Sequence, residues 1–286
     1  MLRFHDCAPC LVRQALDAAR LAATDEQVQE RVLRKVLAAF AEVSFTQYPA
    51  RLSYLAHSIV KRETGCSDPY RPLKHFFNKA SRRLYPRLKE IVRTSENSLE
   101  AAVKIAIAGN IIDFAIRDLE TVNRTIEDTL EKPFAINHFR EFREAVEKAK
   151  KILYIGDNAG ETFFDRILIE KLPFEKLSYV VKGGPIINDA TKEDAIFAGL
   201  PELVEVVDTG SDTPGTLLEA CSPEFQERFQ QADLVIAKGQ ANYETLQFCG
   251  KDIFFLLRVK CPIIARDTGR PIGSIVLQYK RAGQTF

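Results

Sequence analysis

The spacing of apolar residues changes at about residue 150, and this change most limits the folds open to the chain. Before it, apolar residues recur every three or four positions, as in 25–45, which is the period of an amphipathic helix. Further helices are predicted over 50–64, 71–93, 96–118 and 136–149. After it, short apolar runs alternate with amphipathic stretches. We therefore predict an α/β protein in which a helical domain, residues 1–149, packs on a Rossmann-like domain, residues 150–286.

Six apolar runs in the second region are predicted to be β-strands. They are Ile152–Ile155, Leu177–Val181, Leu203–Val207, Leu234–Ile236, Ile253–Leu257 and Ser274–Leu277. Continuously apolar strands separated by helices form a mainly parallel sheet that is covered on both faces. Ligands of such sheets bind beyond the carboxyl ends of the strands. The residues that follow each run are therefore the candidates for a functional site.

Composition argues against several classes of protein. The 40 Lys and Arg residues are balanced by 39 Asp and Glu, so the chain lacks the basic surplus that is usual in nucleic-acid-binding proteins. No run of about 18 apolar residues could span a membrane, and the first residues lack the apolar core of an export signal. Six scattered cysteines suit reduced thiols. We expect a cytoplasmic protein that binds neither nucleic acid nor membrane; its oligomeric state is not indicated.

The first predicted strand is followed by the residues GDNAGE, numbers 156–161. Asp157 and Asn158 would place a carboxylate and an amide oxygen at the strand tip, and such oxygens suit hard cations such as Mg²⁺ and Mn²⁺. Gly160 and Glu161 would begin a helix whose free N–H groups suit an anion. Taken alone, the segment is equally typical of a turn with an aspartate cap.

Two further strand tips strengthen the metal hypothesis. Asn188 and Asp189 follow the second strand, and both tips must converge on one crevice if the strands share a sheet. Lys238 and Gly239 follow a later strand, where the lysine could hold a phosphoryl oxygen as a point charge. The competing interpretation is a solvated lysine in a turn. Together these residues favour phosphoryl transfer, in which positioning and charge neutralisation dominate catalysis.

These motifs occur together in one known family. The segments GDNAGE, GGPIINDAT and KGQANYE resemble those of the damage-control phosphatases, formerly a domain of unknown function. The resemblance reaches into the helical half through CAPCL at 7–11, DPY at 68–70 and GNIIDF at 109–114, so that it spans nearly the whole chain. The N-terminal Cys-x-x-Cys is similar to the prokaryotic and archaeal branch of the family.

The resemblance implies a site and an activity. It implies that Asp157, Asn158 and Asp189 hold one divalent metal, which is Mn²⁺, Co²⁺, Ni²⁺ or Mg²⁺. It implies that Lys238, Gly239 and Asn242 contact the substrate phosphate. Members of the family hydrolyse phosphate esters of small metabolites, some of them damaged or surplus, such as sugar phosphates and phosphopantetheine derivatives. The expected partner is therefore a small phosphorylated metabolite.

In the resulting hypothesis, Asp157 and Lys238 are the catalytic residues. Lys238 offsets phosphoryl charge, and the residues leave open whether Asp157 attacks phosphorus or only holds the metal. Asn110 and Asp113, in an otherwise apolar helix, either form a buried polar network or reach the crevice and select the substrate.

Three alternatives stay open. Cys7 and Cys10 could form half of a zinc site or a redox pair, although no second Cys-x-x-Cys exists and a structural role is favoured. An S-adenosylmethionine-dependent carboxyl methyltransferase would also suit a Rossmann-like sheet, but its usual Gly-x-Gly loop is replaced here by Gly-Asp-Asn-Ala-Gly. A non-catalytic phosphometabolite-binding protein is the third possibility.

Overall fold

The computed structural model describes residues 5–44, 46–109 and 119–283, with the backbone alone for residues 119–123 and 125. The first half of the chain is helical, as predicted. Its helices are α1 (Cys7–Ala22), α2 (Glu26–Glu42), α3 (Pro49–Thr64), α4 (Arg71–Thr94), α5 (Ser98–Gly109) and α6 (Leu119–Glu131). Residues 110–118, which complete the predicted helix over 96–118, lie outside the described residues.

Strands and helices alternate in the second half. The strands are β1 (Ile136–Asn137), β2 (Ile152–Ile155), β3 (Leu177–Val181), β4 (Glu205–Asp208), β5 (Leu234–Lys238), β6 (Ile253–Arg258) and β7 (Ile275–Lys280). The helices are α7 (Phe139–Lys148), α8 (Thr162–Ile169), α9 (Lys192–Phe197), α10 (Pro223–Gln231), α11 (Gly239–Leu246) and α12 (Pro262–Thr268). Within the described residues the strands form one sheet in the order β1-β7-β6-β5-β2-β3-β4. All neighbours are parallel except β6 and β7, so the predicted fold class is confirmed.

Several predicted boundaries differ from the structure, and local turns explain two of them. The helix predicted over 136–149 begins only at Phe139, because Ile136–Asn137 pairs with β7 and the Asn137 side chain accepts the Phe139 N–H at 3.0 Å. The strand predicted from Leu203 begins at Glu205, because the Leu203 N–H is already bound to the Leu200 carbonyl in a preceding turn. Local hydrogen bonds therefore determine where both elements begin, and the spacing of apolar residues does not reveal such bonds.

The two faces of the sheet bury alternate residues, which is why its strands are apolar throughout. In β2, Ile152 and Tyr154 join the core beneath α4, α5 and α8, whereas Leu153 and Ile155 join the core beneath α10 and α11. Helices α4 and α5 thus share a core with the sheet, while α1, α2 and α3 surround a core of their own. The proposed domain boundary at residues 149–150 stays a prediction.

Helix α1 presents two different faces. Leu11, Ala15, Ala18 and Ala19, at helical spacing, are buried against α2 and α3. The polar residues Gln14, Asp17 and Arg20 lie on another face of α1, which lines the candidate site described below. Among the described residues, no helix is both long and apolar enough to cross a membrane.

A buried histidine in α3 makes the stability of the protein sensitive to acid. His57 is buried, its Nε2 has no hydrogen-bond partner among the described residues, and burial together with Lys61 lowers its pKa from 6.5 to about 4. Between these values the unfolded chain binds a proton that the folded chain rejects. Stability should therefore fall as pH drops from 6.5 towards 4, by up to about 1.4 kcal/mol per pH unit.

The test is urea unfolding at pH 7 and pH 5. We expect the loss between these values to shrink in His57→Leu and to persist in His75→Leu, which replaces an imidazole on the exposed surface of α4. An equal loss in wild type and His57→Leu would contradict this origin of the acid sensitivity.

Candidate active site

The topology places a crevice between β2 and β5. The chain continues from β2 to β3 and β4 on one side of this pair, and from β5 to β6 on the other. The helices that follow β2 and β5 therefore diverge to opposite faces, and a crevice opens at the carboxyl ends of the two strands. The loops 156–161 and 182–191 and the start of α11 meet there.

Backbone hydrogen bonds join the loop after β2 to the loop after β3. The Asp157 carbonyl accepts the Ala190 N–H at 2.8 Å, and the Ala159 N–H donates to the Asn188 carbonyl at 2.8 Å. Between these bonds, Asn158 and Asp189 form an isolated antiparallel bridge. The three predicted metal ligands, Asp157, Asn158 and Asp189, are thereby brought together.

The amide of Asn158 has a fixed orientation. Its Nδ2 donates to Asp157 Oδ2 at 3.1 Å and to Glu161 Oε1 at 2.5 Å. The Glu161 carboxylate only accepts when ionised, so the NH₂ group must face it. The amide oxygen consequently faces the other way and takes no hydrogen bond from the described residues. It is the atom of Asn158 that could bind a cation.

Asp189 carries a buried oxygen that lacks a hydrogen bond. Its side chain is 8% exposed, and Oδ2 accepts no hydrogen bond from the described residues. Lys182 Nζ lies 3.5 Å from Oδ2, within ion-pair distance but without hydrogen-bond geometry, and it donates to the Gly215 carbonyl instead. Burial raises the pKa of Asp189, and Lys182 opposes that rise. An oxygen of this kind is costly unless something else satisfies it.

Asp157 is held in an unfavourable electrostatic setting. Burial, together with the nearby carboxylates of Glu161 and Asp189, raises its pKa from 3.8 to about 8, against the opposing effect of Lys260 and Lys238. A carboxylate so destabilised as an anion is typical of functional sites. A cation at this position would favour the ionised form.

Gly239 makes room for Asp157. The residue begins α11 with φ +77, and a Cβ placed on it would lie 1.9 Å from Asp157 Oδ2. Both the positive φ and the close approach require glycine. Thus the first residue of α11 supplies a surface without a side chain against which the Asp157 carboxylate packs.

A cleft of about 780 Å³ opens above these groups. Asp157, Asn158, Asn188 and Asp189 lie on its sheet side. The opposite wall comes from the polar face of α1, with Gln14, Asp17 and Arg20, and from the start of α4, with Tyr70 and Leu73; Gln240 and Lys260 complete one side. Two other clefts, of about 570 and 490 Å³, lie by the amino ends of the strands, where none of the predicted site residues occurs.

The donor set fits a hard divalent cation. Two carboxylates and one amide oxygen are ligands that Mg²⁺ and Mn²⁺ accept. In the described residues, no group of three His, Cys, Asp or Glu side chains could hold a metal by itself, so the amide of Asn158 is needed to complete the set. The buried Asp189 oxygen, which accepts no hydrogen bond from the described residues, is an atom that such a cation could satisfy.

Lys238 lies beneath the cleft and does not line it. The side chain is fully buried, and Nζ donates to Glu161 Oε2 at 2.9 Å and to Asp165 Oδ1 at 2.7 Å. These carboxylates raise the pKa of Lys238 although burial opposes the rise, so it stays charged. Neither Lys238 nor the equally buried Glu161 lines the cleft, and their predicted contacts with the substrate phosphate stay predictions.

Two other residues that were predicted to contact the substrate are also packed inside the protein. Asn242 is fully buried, where its side chain accepts from Thr216 Oγ1 and donates to the carbonyls of Gly156 and Lys238. Gly160 packs against α4, since a Cβ there would lie 2.9 Å from Phe77 Cβ. Asn188 does line the cleft, as predicted. Asn110 and Asp113 lie outside the described residues.

Comparison with known proteins agrees with the motifs. A family model, the Damage-control phosphatase ARMT1-like domain, matches residues 3–276. This chain belongs to the damage-control phosphatase family. An uncharacterised protein of Methanocaldococcus jannaschii is 37% identical over 97% of this chain and 98% of its own. A damage-control phosphatase of Pyrococcus horikoshii is 37% identical over 95% and 96%, and one of Archaeoglobus fulgidus 34% identical over 94% and 96%.

A solved structure extends the agreement to the fold. The crystal structure of a DUF89 family protein from Pyrococcus horikoshii superposes with a TM-score of 0.91 at 35% identity, covering 98% of this chain and all of that one. The fold predicted from strand spacing is therefore that of the damage-control phosphatases.

The sequence analysis did not identify two positively charged side chains that border the cleft, those of Lys260 and Arg20. Lys260 follows β6 and borders the cleft, and its backbone N–H donates to the Gln240 side chain at 2.6 Å. Its position after a fourth strand tip was the available signal. Arg20 lies on α1 beside Asp17, at 3.4 Å, and only the three-residue spacing of Gln14, Asp17 and Arg20 could have indicated it.

The loop that carries Asp189 is strained. Ile187 has φ +44, a left-handed conformation that is rare for a β-branched residue, and its side chain packs against the core formed by α1, α2 and α3. The helical region therefore holds this loop of the damage-control phosphatase fold in place next to the candidate ligand.

The cysteines show no sign of a second site. All six are free thiols, and burial raises the pKa of Cys7 from 9.0 to about 12 and also raises that of Cys10. Both thiols are therefore protonated at neutral pH, which disfavours a reactive pair. The structural role preferred for Cys7 and Cys10 stays a prediction.

Proposed function

We propose that the protein is a phosphatase of small phosphorylated metabolites that depends on one divalent cation. The observation that carries the proposal is the convergence of Asp157, Asn158 and Asp189 at the base of a cleft, with a buried Asp189 oxygen that accepts no hydrogen bond from the part of the chain that the structure describes. The names of the relatives from Pyrococcus horikoshii and Archaeoglobus fulgidus support the reaction class.

The charge of the buried groups supports a divalent ion. Asp157, Glu161, Asp165 and Asp189 are all buried, and the buried ammonium groups of Lys182 and Lys238 pair with three of them, Asp189, Glu161 and Asp165. Burial and the carboxylates of Glu161 and Asp189 disfavour the ionised form of Asp157. A divalent cation bound to Asp157 would offset these effects and favour its ionised form.

Asp157, Asn158 and Asp189 would hold the cation. When bound, it would supply Lewis-acid polarisation of a phosphoryl oxygen. Lys260, which borders the cleft near Asp157, would neutralise part of the phosphate charge. Arg20 on the facing wall would bind the same group or a second anion of the substrate. Tyr70 and Leu73 provide apolar surface that limits the access of water.

The identity of the cation and of the substrate is part of the same proposal. Mn²⁺, Co²⁺, Ni²⁺ and Mg²⁺ are the cations to test, because oxygen ligands accept several divalent ions. Sugar phosphates and phosphopantetheine derivatives are the substrates to screen, since a cleft of about 780 Å³ with a polar α1 wall admits molecules of that size. A cytoplasmic location stays a prediction from the sequence.

The test is hydrolysis of p-nitrophenyl phosphate by chelator-treated protein to which each cation is added in turn. We expect no turnover without cation, restored turnover with at least one of the four, and loss of turnover in Asp189→Ala. Folded protein that hydrolyses nothing with any cation would contradict the proposal. S-adenosylmethionine binding by that protein would then favour the methyltransferase alternative.

A further inference from the structure

A buried chain of charged and polar groups lies directly behind the candidate metal ligands. Lys238 Nζ donates to Glu161 Oε2 at 2.9 Å and to Asp165 Oδ1 at 2.7 Å, and all three side chains are fully buried. Glu161 Oε1 accepts the amide of Asn158 at 2.5 Å. The chain therefore runs without interruption from Asp165 to the cleft.

Two tyrosines fix the far end of this chain. Tyr154 OH donates to Asp165 Oδ1, and Tyr179 OH donates to Asp165 Oδ2, each at 2.8 Å. The rings stack with centroids 5.5 Å apart and come from adjacent positions on β2 and β3. Asp165 thus has both oxygens bound by groups that the rigid sheet carries, and it cannot turn without breaking them.

We infer that Glu161, Lys238, Asp165, Tyr154 and Tyr179 are positioning residues that orient the Asn158 amide so that its oxygen faces the cation. The inference rests on the proposed function, because it assigns these residues a part in the same metal centre. It also explains why Lys238 and Glu161 belong to the family motifs although their side chains do not line the cleft. They act on the cation through Asn158.

The orientation matters because the two ends of an amide are opposite in charge. With Glu161 as acceptor, Nδ2 points inward and Oδ1 is presented to a cation. If the amide turned over, an N–H₂ group would face the cation and repel it. A network that fixes a metal ligand in this way is worth about 10–100-fold in metal affinity.

The decisive substitution is Glu161→Gln, which preserves size but offers only one acceptor. Lys238 can only donate, so the new amide should turn its oxygen to the ammonium group and its NH₂ group to Asn158. Asn158 then faces another donor and loses its fixed orientation. We expect Mn²⁺ affinity, measured by calorimetric titration of chelator-treated protein, to fall about 10–100-fold, and the visible spectrum of bound Co²⁺ to change.

Glu170→Gln is the matched control. Glu170 directly follows α8 and is likewise a networked carboxylate: it accepts from Tyr85 and pairs with Lys89 and Arg166, but within the described residues it makes no hydrogen bond to Asn158. A general effect of removing a networked carboxylate would lower the melting temperature of both variants. A positioning role would change the Mn²⁺ affinity and the Co²⁺ spectrum in Glu161→Gln alone.

Asp165→Asn and Tyr179→Phe extend the test, in case Glu161→Gln does not fold. We expect weaker Mn²⁺ binding in both, with the smaller change in Tyr179→Phe and none in Tyr85→Phe. Wild-type Mn²⁺ affinity in every folded network variant would overturn the positioning role while leaving the proposed function intact. A wild-type protein that takes up no divalent cation would overturn both.

Discussion

Replacing Asp157 by asparagine is expected to abolish cation-dependent hydrolysis and, at pH 8, to stabilise the cation-free protein. The first effect follows from the loss of a charged ligand, and we expect Mn²⁺ affinity to fall by more than about 100-fold, since changes to outer-shell groups alone cost about 10–100-fold. The second follows from the raised pKa of Asp157, about 8 in the folded protein against 3.8 ordinarily. The folded state resists ionisation of this group.

The direction of the stability change can be derived from proton binding. Between pH 4 and pH 8 the folded, cation-free protein retains a proton on Asp157 that the unfolded chain has lost. Its stability therefore falls as pH rises through this window, and the asparagine variant lacks this loss. At pH 8 we expect a gain of at least about 1 kcal/mol, or roughly 2–4 °C in melting temperature for a chain of this size. Calorimetry with and without Mn²⁺ measures both effects.

Asp208→Asn provides a control of opposite sign. Asp208 ends β4 outside the cleft, and its pKa is lowered because Lys192 and the Gly210 N–H stabilise the carboxylate, against the effect of partial burial. We expect this variant to lose a little stability and to keep full activity. A cation-free Asp157→Asn protein less stable than wild type at pH 8 would show that the Asp157 carboxylate is already satisfied without a cation.

The sequence predicted the candidate ligands because topology alone decides where they lie. Asp157, Asn158 and Asp189 follow two adjacent parallel strands, and such tips meet at one edge of a sheet whatever the loops do. The strands themselves could be predicted because both faces are buried, which leaves an uninterrupted apolar signal. β1 gave no such signal, since it has only two residues at the sheet edge.

The main difference between the prediction and the structure is the orientation of the Lys238 side chain. The alternation of side chains along a strand explains it. Lys238 is the last residue of β5, two positions after Ile236, so its side chain leaves the sheet on the face covered by α8. Glu161 and Asp165 lie on that same side. A position at the end of a strand shows only that a residue lies at the edge of the sheet. Because side chains alternate between the two faces, an odd or even position along the strand decides whether the side chain enters the cleft or the core.

The sequence analysis missed Lys260 and Arg20 for a different reason. Their relevance depends on how α1 packs across the carboxyl edge of the sheet, which is a tertiary arrangement between segments about 240 residues apart. Amphipathic spacing shows that α1 has a polar face, but not which surface that face meets. The same holds for Ile187, whose strained backbone is imposed by the core of α1, α2 and α3.

Gly239→Ala is expected to disable the site without removing any proposed ligand. A Cβ at this position would lie 1.9 Å from Asp157 Oδ2 and 2.4 Å from its Cγ, so the carboxylate must move by more than about 1 Å to restore an ordinary contact distance. A displacement of that size can cost about 100-fold in rate. We expect at least this loss in cation-dependent hydrolysis, together with weaker Mn²⁺ binding.

Gly250→Ala separates crowding from backbone strain. Gly250 has φ +75, nearly the same as Gly239 at +77, but a Cβ there meets nothing within 4 Å. Both variants should lose about 1–2 kcal/mol of stability, because alanine disfavours this conformation. Only Gly239→Ala should lose cation binding. Equal Mn²⁺ affinity in the two variants would mean that Asp157 can leave its position without consequence, and Asp157 could not then be a ligand.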